Sequence, residues 1–178
     1  MIETVRLVLR PWIDDDRVPF AAMSADPEVM EPLGGVLTGP QSTDYIDRAT
    51  AHIDKHGFGR WAVARRDTGE LVGSVGLMQI GAGVPVGPGF EVGWRLARAA
   101  WGVGYASEAA RGAIQDAFAR CGLKEAFAYT SVVNLRSQAV MGRAGMLRAP
   151  ELDFEHPALP PDHPLRPHLV WLARNLAI

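Results

Sequence analysis

Cysteine is nearly missing from this chain. Cys121 is the single one in 178 residues, which excludes an internal disulfide framework and a thiolate zinc cage and fits a reducing compartment. No run of lysine or arginine builds a basic stripe, and the formal net charge is -2, so nucleic-acid binding through bulk electrostatics is excluded too. Long hydrophobic runs are also absent. Met1 to Trp12 is interrupted by Glu3, Arg6 and Arg10, and no segment has the length of a membrane span or the layout of a signal peptide. The expectation is a cytoplasmic protein with no membrane partner. There is no internal repeat, low-complexity tract or linker. What is present, 48% apolar and 21% charged residues at a length near that of one ordinary domain, suits a single globular domain over residues 1–178.

Patterning supplies the elements. Val5, Leu7 and Leu9 alternate into a first strand that ends at Pro11. Residues 14–25 read as a helix with three aspartates at its start and the breaker Asp26-Pro27 behind it, and residues 42–55 as a second helix. Two strands, around Trp61 and over Leu71 to Ile80, are joined by the hairpin signal Asp67-Thr-Gly-Glu70. After a Gly/Pro-rich loop, Phe90, Val92, Trp94 and Leu96 share one strand face, while Glu91, Gly93 and Arg95 share the other. An alanine-rich amphipathic helix with Gly122 as its cap follows, then a strand at 126–133, a helix at 135–144, a strand at 146–154, a loop with five prolines at 156–167 and a terminal strand at 168–176. This is an α/β (α+β) arrangement around a mostly antiparallel sheet.

The segment between the Phe90–Leu96 strand and the alanine helix carries the strongest functional signal. Gly102 and Gly104 leave main chain uncovered beside a helix start, where unpaired N–H groups and the positive end of the helix dipole favour an anion such as a pyrophosphate. Gly102-Val-Gly-Tyr-Ala-Ser107 nearly fits a dinucleotide fingerprint. That fingerprint follows a first parallel strand and leads to an acid closing the next strand, whereas here antiparallel strands precede it and Glu125 opens the next strand. Asn134 has the residue type of a helix N-cap, and Ser137 lies one turn on. His156, His163 and His168 match no zinc spacing, so no metal is expected. Cys121 lies on the apolar stripe of its helix and reads as structural.

Taken together, Thr4-Val-Arg-Leu-Val-Leu-Arg-Pro11, Glu91-Val-Gly-Trp-Arg-Leu96, Trp101-Gly-Val-Gly-Tyr-Ala-Ser-Glu-Ala-Ala110, and Asn134-Leu-Arg-Ser137 with Arg143-Ala-Gly-Met146 resemble the GNAT superfamily of N-acetyltransferases. Within it they resemble the branch containing the ribosomal-protein alanine acetyltransferases. The one departure is Trp101, where the superfamily often has Gln or Arg. The resemblance implies a GNAT-like domain with splayed strands 4 and 5, and acetyl-CoA as co-substrate. Its pyrophosphate would be held by the backbone of Trp101, Gly102, Val103, Gly104, Tyr105, Ala106 and Ser107. It further implies that the strand end at Leu96 and Ala97 opens a slot for pantetheine, where a backbone N–H polarises the thioester carbonyl, and that Asn134 bonds the pantetheine arm. Ser137 would assist the departing sulfur. Glu91 is the candidate base, against the plainer reading of a partner for Arg95. Arg111, Arg136 and Arg143 are candidates for the nucleotide 3'-phosphate.

The implied reaction is direct attack of a neutral primary amine through a tetrahedral intermediate, with a non-catalytic acetyl-CoA-binding or sensing module as the alternative. The acceptor would be a protein N-terminus, a small polyamine-like or antibiotic amine, or an amino acid, walled by residues 14–55 and 156–167. Asp14, Asp15 and Asp16 hint at a cationic amine. A monomer or homodimer is expected.

Overall fold

The structure, a computed structural model, describes residues 1–175. Nine strands form one sheet: β1 (Ile2–Glu3), β2 (Leu7–Arg10), β3 (Arg60–Arg65), β4 (Leu71–Gln79), β5 (Phe90–Leu96), β6 (Glu125–Ser131), β7 (Leu147–Arg148), β8 (Phe154–Glu155) and β9 (Pro167–Arg174). Their order is β1-β2-β3-β4-β5-β6-β9-β7, with β8 also pairing β9. Every pairing is antiparallel except β5 with β6. Because the two-residue β1 precedes the family's first strand, the splayed strands 4 and 5 of the family are β5 and β6 here.

That one parallel pairing sets the position of the site. β4 and β5 are matched over their whole shared length, from Gly73↔Leu96 to Gln79↔Phe90. β5 and β6 meet only at Glu91↔Phe127 and then diverge. The ends of β5 and β6 therefore leave a wedge in the middle of the sheet.

Helices cover both faces. α4 (Tyr105–Cys121) packs Ala109, Ala110, Ala113 and Ala117 against Val75 and Val92 of the sheet, and these small side chains let the helix axis approach closely. α5 (Leu135–Arg143) lies on the same side. On the other face α1 (Arg17–Ser24), the single-turn α2 (Pro27–Met30) and α3 (Gly39–His56) enclose Trp12, Phe20, Met30 and Ile46.

Several elements differ from the sequence expectation: the strand expected to begin at Val5 begins at Leu7, and the strand expected over 126–133 ends at Ser131. Residues 14–25 divide into a 3-10 turn, Asp14–Asp16, and α1; Asp26-Pro27 then starts a new helix rather than only ending one, with the Asp26 carboxylate accepting from the Glu28 amide at 2.9 Å and Pro27 in the first turn. α3 begins before residue 42 because Thr38 and Gln41 form a reciprocal capping box. The expected strand at 146–154 is two short strands, β7 and β8, separated by a 3-10 turn at Pro150–Leu152. Pro150 has no amide to donate to a ladder, so the chain leaves β9 there and rejoins it at Phe154. Leu176, the expected end of the last strand, lies outside the described residues.

One polar cluster fastens the amino-terminal hairpin to α4. The Glu108 carboxylate accepts from Thr4 Oγ1 at 2.6 Å, from the Arg6 amide at 2.8 Å and from Arg6 Nε at 2.7 Å. Burial pushes the Glu108 carboxyl upward, but the hydrogen bonds from Thr4 and Arg6 outweigh it and hold the group below its ordinary 4.5. A depressed carboxyl contributes stability that is fully present above its unfolded value and disappears as pH falls through the lower folded one. Glu108→Gln should therefore lower unfolding free energy by about 1–2 kcal/mol at pH 7, and the gap to the wild type should close on titration below 4.5. Urea unfolding at several pH values checks this, and a gap that persists unchanged in acid contradicts it.

Candidate active site

The loop between β5 and α4 folds into an open cradle of main chain. Gly102 (φ +80) and Gly104 (φ +88) are both left-handed, a conformation that glycine enters without steric cost, and a Cβ on Gly102 would meet nothing within 4 Å. Gly104 is the N-cap of α4 and supplies no capping side chain. Among the described residues, the amides of Gly102, Val103, Gly104, Tyr105, Ala106 and Ser107 have no hydrogen-bond partner. A helix start with this many orphan donors and no cap has the electrostatics of an anion site.

The cradle is braced from three sides. Arg6 Nη1 donates to the Val103 carbonyl at 2.8 Å, and the same guanidinium lies over the Tyr105 ring at 4.8 Å. Trp101 Nε1 donates to the Leu96 carbonyl at 2.9 Å, pinning the start of the loop to the end of β5. Arg98 and Arg136 stack on the Trp101 ring at 4.9 and 4.7 Å. Arg143 Nε reaches Ser107 Oγ at 3.3 Å, and Arg111 donates to the Arg143 carbonyl. Among the described residues, Arg111, Arg136 and Arg143 form no ion pair with a carboxylate, so the surroundings of the cradle carry uncompensated positive charge.

The wedge opens directly beside this loop. The Ala97 amide donates to the Val72 carbonyl at 2.9 Å; by the alternation of an antiparallel ladder, the N–H groups of Trp94 and Leu96 then face away from β4 and toward the wedge. On its far side, Asn134 caps α5, accepting from the Ser137 amide at 3.2 Å and donating to Thr130 Oγ1 at 3.0 Å. Ser137 Oγ accepts from Trp94 Nε1 at 3.3 Å, across the wedge. The Ser137 hydroxyl hydrogen is left free to point elsewhere.

On the α1–α3 face, Glu91 pairs with Arg60, not with Arg95: Arg60 Nη2 donates to Glu91 Oε1 at 2.8 Å. Arg60 reaches it from β3 by crossing β4. Its partner positions in register are Gly76 and then Gly93, and a Cβ on Gly93 would lie 2.2 Å from Arg60 Nη1. Tyr129 of β6 also faces Glu91. Burial, followed by the charge of Glu91, pushes the Tyr129 phenol well above its ordinary value, so it stays protonated. Of the three aspartates near residue 15, Asp16 is buried and held by both Nη1 and Nη2 of Arg10, and Asp14 pairs with Arg17.

The profile of the acetyltransferase (GNAT) domain family matches residues 6–147, which contain the cradle, the wedge and Glu91. This chain belongs to the GNAT acetyltransferase family. It is an N-acetyltransferase. It is 30% identical over 174 residues to an FsC-acetyl coenzyme A-N(2)-transacetylase of Aspergillus fumigatus, covering 90% of this chain and 70% of that protein. An acetyltransferase structure from Agrobacterium tumefaciens is 29% identical, with a TM-score of 0.78 over 98% of this chain and 94% of that one. RimL, a ribosomal-protein acetyltransferase solved in complex with coenzyme A, shares the fold at 13% identity, with a TM-score of 0.77 over 96% of this chain and 95% of that one.

Several residues at this GNAT site carry no signal in the sequence. Arg6, Arg60, Trp94 and Tyr129 act through partners distant along the chain, and only the sheet register brings those partners together. The histidines have other surroundings: His168 stacks on Phe154 at 5.3 Å with the tilted His156 ring 4.9 Å from it, and His163 Nδ1 accepts from the Leu165 amide. Among the described residues, no group of three or more His, Cys, Asp or Glu side chains is placed to hold a metal ion. Cys121 is half-buried at the end of α4, away from the wedge. No helix among those residues is long and apolar enough to cross a membrane.

Proposed function

We propose that this GNAT enzyme transfers the acetyl group of acetyl-CoA to a primary amine by direct attack, without a covalent acetyl-enzyme. The row of unpartnered amides from Gly102 to Ser107, opening beside the wedge, carries this reading: a diphosphate there places the thioester arm along β5. Acetyl-CoA supplies a carbonyl carbon already activated by a thiolate leaving group. The Leu96 N–H, facing the wedge, is the donor available to an oxyanion, and Ser137 can donate its free hydroxyl hydrogen to the departing sulfur. Asn134 holds Ser137 in place and is near enough to the wedge to bond the pantetheine arm. Arg111, Arg136 and Arg143 are the cations available to the nucleotide phosphates. Glu91, oriented by Arg60 and facing Tyr129, accepts the proton lost by the amine, directly or through a water.

The acceptor decides how much help is required. An α-amine with a pKa near 8 is already about one tenth neutral at pH 7, whereas a lysine-type amine near 10.4 is less than about a thousandth neutral. Glu91→Gln should accordingly slow lysine-like acceptors at least about tenfold more than α-amines. The test is a CoA-release screen over amines, peptides and antibiotics, with pH-rate profiles for the wild type and this variant. Acetyl-CoA that raises Tm without thiol release on any amine would indicate a binding or sensing module instead. Identical pH profiles for the two proteins would remove Glu91 from the proton transfer.

A further inference from the structure

The face of the sheet opposite α4 holds a positive charge that the protein does not balance. Arg95 follows Glu91 and Gly93 on this face of β5, and its guanidinium is enclosed between α1 and α3. Nη1 donates to Ser24 Oγ at 3.2 Å, and the group lies over the rings of Tyr45 at 4.8 Å and Phe20 at 5.5 Å. Nε is sealed from solvent and has no acceptor. Nη2 also makes no hydrogen bond but, unlike Nε, keeps some exposure to solvent, so that one corner of the guanidinium is accessible. Among the described residues, no carboxylate lies within ion-pair distance of Arg95.

The charged neighbour felt by Arg95 is Arg60, of like sign and already engaged with Glu91. Burial weakens the hold of Arg95 on its proton; Tyr45 opposes this, and the repulsion from Arg60 adds a smaller push in the same direction as burial. Arginine nevertheless stays charged in a protein. Glu91, Arg60 and Arg95 thus leave this face with one surplus positive charge. Ring faces and a serine hydroxyl offset part of the cost of burying a guanidinium, but they provide neither a counter-charge nor an acceptor for Nε. Simple packing is poorly served by such an arrangement, since an aliphatic side chain would cover the stacked rings of Phe20 and Tyr45 without an orphan donor.

We propose that Arg95 is the specificity-determining residue for the acceptor, and that the acceptor amine carries a carboxylate that docks on the accessible corner of the Arg95 guanidinium. This rests on the acetyl-transfer reading above and names its substrate class. Arg95 immediately precedes Leu96, whose N–H faces the wedge, so an anion held by Arg95 leaves the amine of a short molecule within reach of the thioester. A carboxylate oxygen can accept a charge-assisted hydrogen bond from the accessible Nη2. The surplus charge disfavours polyamines. The carboxylate is that of a small amino acid or of an acidic side chain near a peptide N-terminus.

The test compares amines matched in basicity and differing only in the anion: 4-aminobutyrate with butylamine, acidic N-terminal peptides with their side-chain amides, and phosphoethanolamine with ethanolamine. In the wild type, one or both carboxylate arms should exceed their neutral partners by at least about tenfold in kcat/KM, mainly through KM. Arg95→Met should bring that ratio to within about threefold of unity, while Arg95→Lys, which keeps the charge, should retain part of it. Equal rates for the matched pairs in the wild type overturn the proposal without needing any variant. So does a ratio that survives in a folded Arg95→Met protein, and a preference for the phosphate arm overturns the carboxylate assignment. Turnover of neutral amines alone refutes Arg95 but leaves acetyl transfer standing. Absence of both CoA release and an acetyl-CoA-induced rise in Tm refutes the transfer reading and this proposal with it.

Discussion

Gly104→Asp should weaken acetyl-CoA binding by about 100-fold or more, whereas Gly104→Asn should cost less than about tenfold. Gly104 is the N-cap of α4 at φ +88, and a Cβ there would come no closer than 3.4 Å to Arg6 Nη2. Asn and Asp are the side chains that best tolerate this left-handed conformation, so both variants have similar shape and backbone demands. Only the aspartate places a negative charge against the anion that the orphan amides are arranged to hold. At about 4 Å and an effective dielectric of about 20, two unit charges repel by roughly 4 kcal/mol. Calorimetric titration with acetyl-CoA measures the difference. Equal affinities for the two variants would mean that the cradle does not bind the diphosphate.

Gly73→Ala should cost about 3–5 kcal/mol of stability. A Cβ on Gly73 would lie 2.2 Å from the Arg95 carbonyl oxygen and 2.8 Å from the Leu96 Cα. Both obstacles are main-chain atoms, which cannot swing aside as a flexible side chain can. The ladder between β3 and β4 is already irregular at this point, where Val72 is the extra residue on β4. Relief of the clash would have to come from lifting the end of β5, the part of the strand that faces the wedge. Chemical denaturation gives the free energy, and a loss below about 1 kcal/mol would show that β5 yields there at little cost.

The reach of sequence reasoning divides along the same lines as the physics. The strand, glycine loop and alanine helix from Phe90 to Cys121 are legible because the apolar period changes from two to 3.6 across a pair of glycines, and each of those signals is local. The divergence of β5 and β6 is not contained in any local pattern; it was implied by family resemblance, and the single pairing Glu91↔Phe127 gives it physical form. Glu91 illustrates the limit. Face alternation offered Arg95 as its partner, but four residues of extended strand separate them by about 13 Å between Cα atoms. Arg60 is the actual partner because register sets it in line with Gly76 and Gly93, and Gly93 leaves room for its guanidinium. Nothing at residues 60, 76 or 93 taken singly announces that alignment. The division of residues 146–154 was missed for a simpler reason: the apolar pattern continued through Pro150, whose missing amide outweighs it.

If the loop holds acetyl-CoA as proposed, the tether from Arg6 to Val103 and Glu108 bears on how quickly that co-substrate is captured. A cradle already fixed by the amino-terminal hairpin has no segment left to order at encounter, so the entropy of forming it belongs to folding and not to association. Capture is then governed by diffusion and orientation, at about 10^5–10^7 per molar per second for such pre-shaped sites, with no slow isomerisation following the collision. Changes confined to the loop consequently alter residence time far more than the rate of arrival.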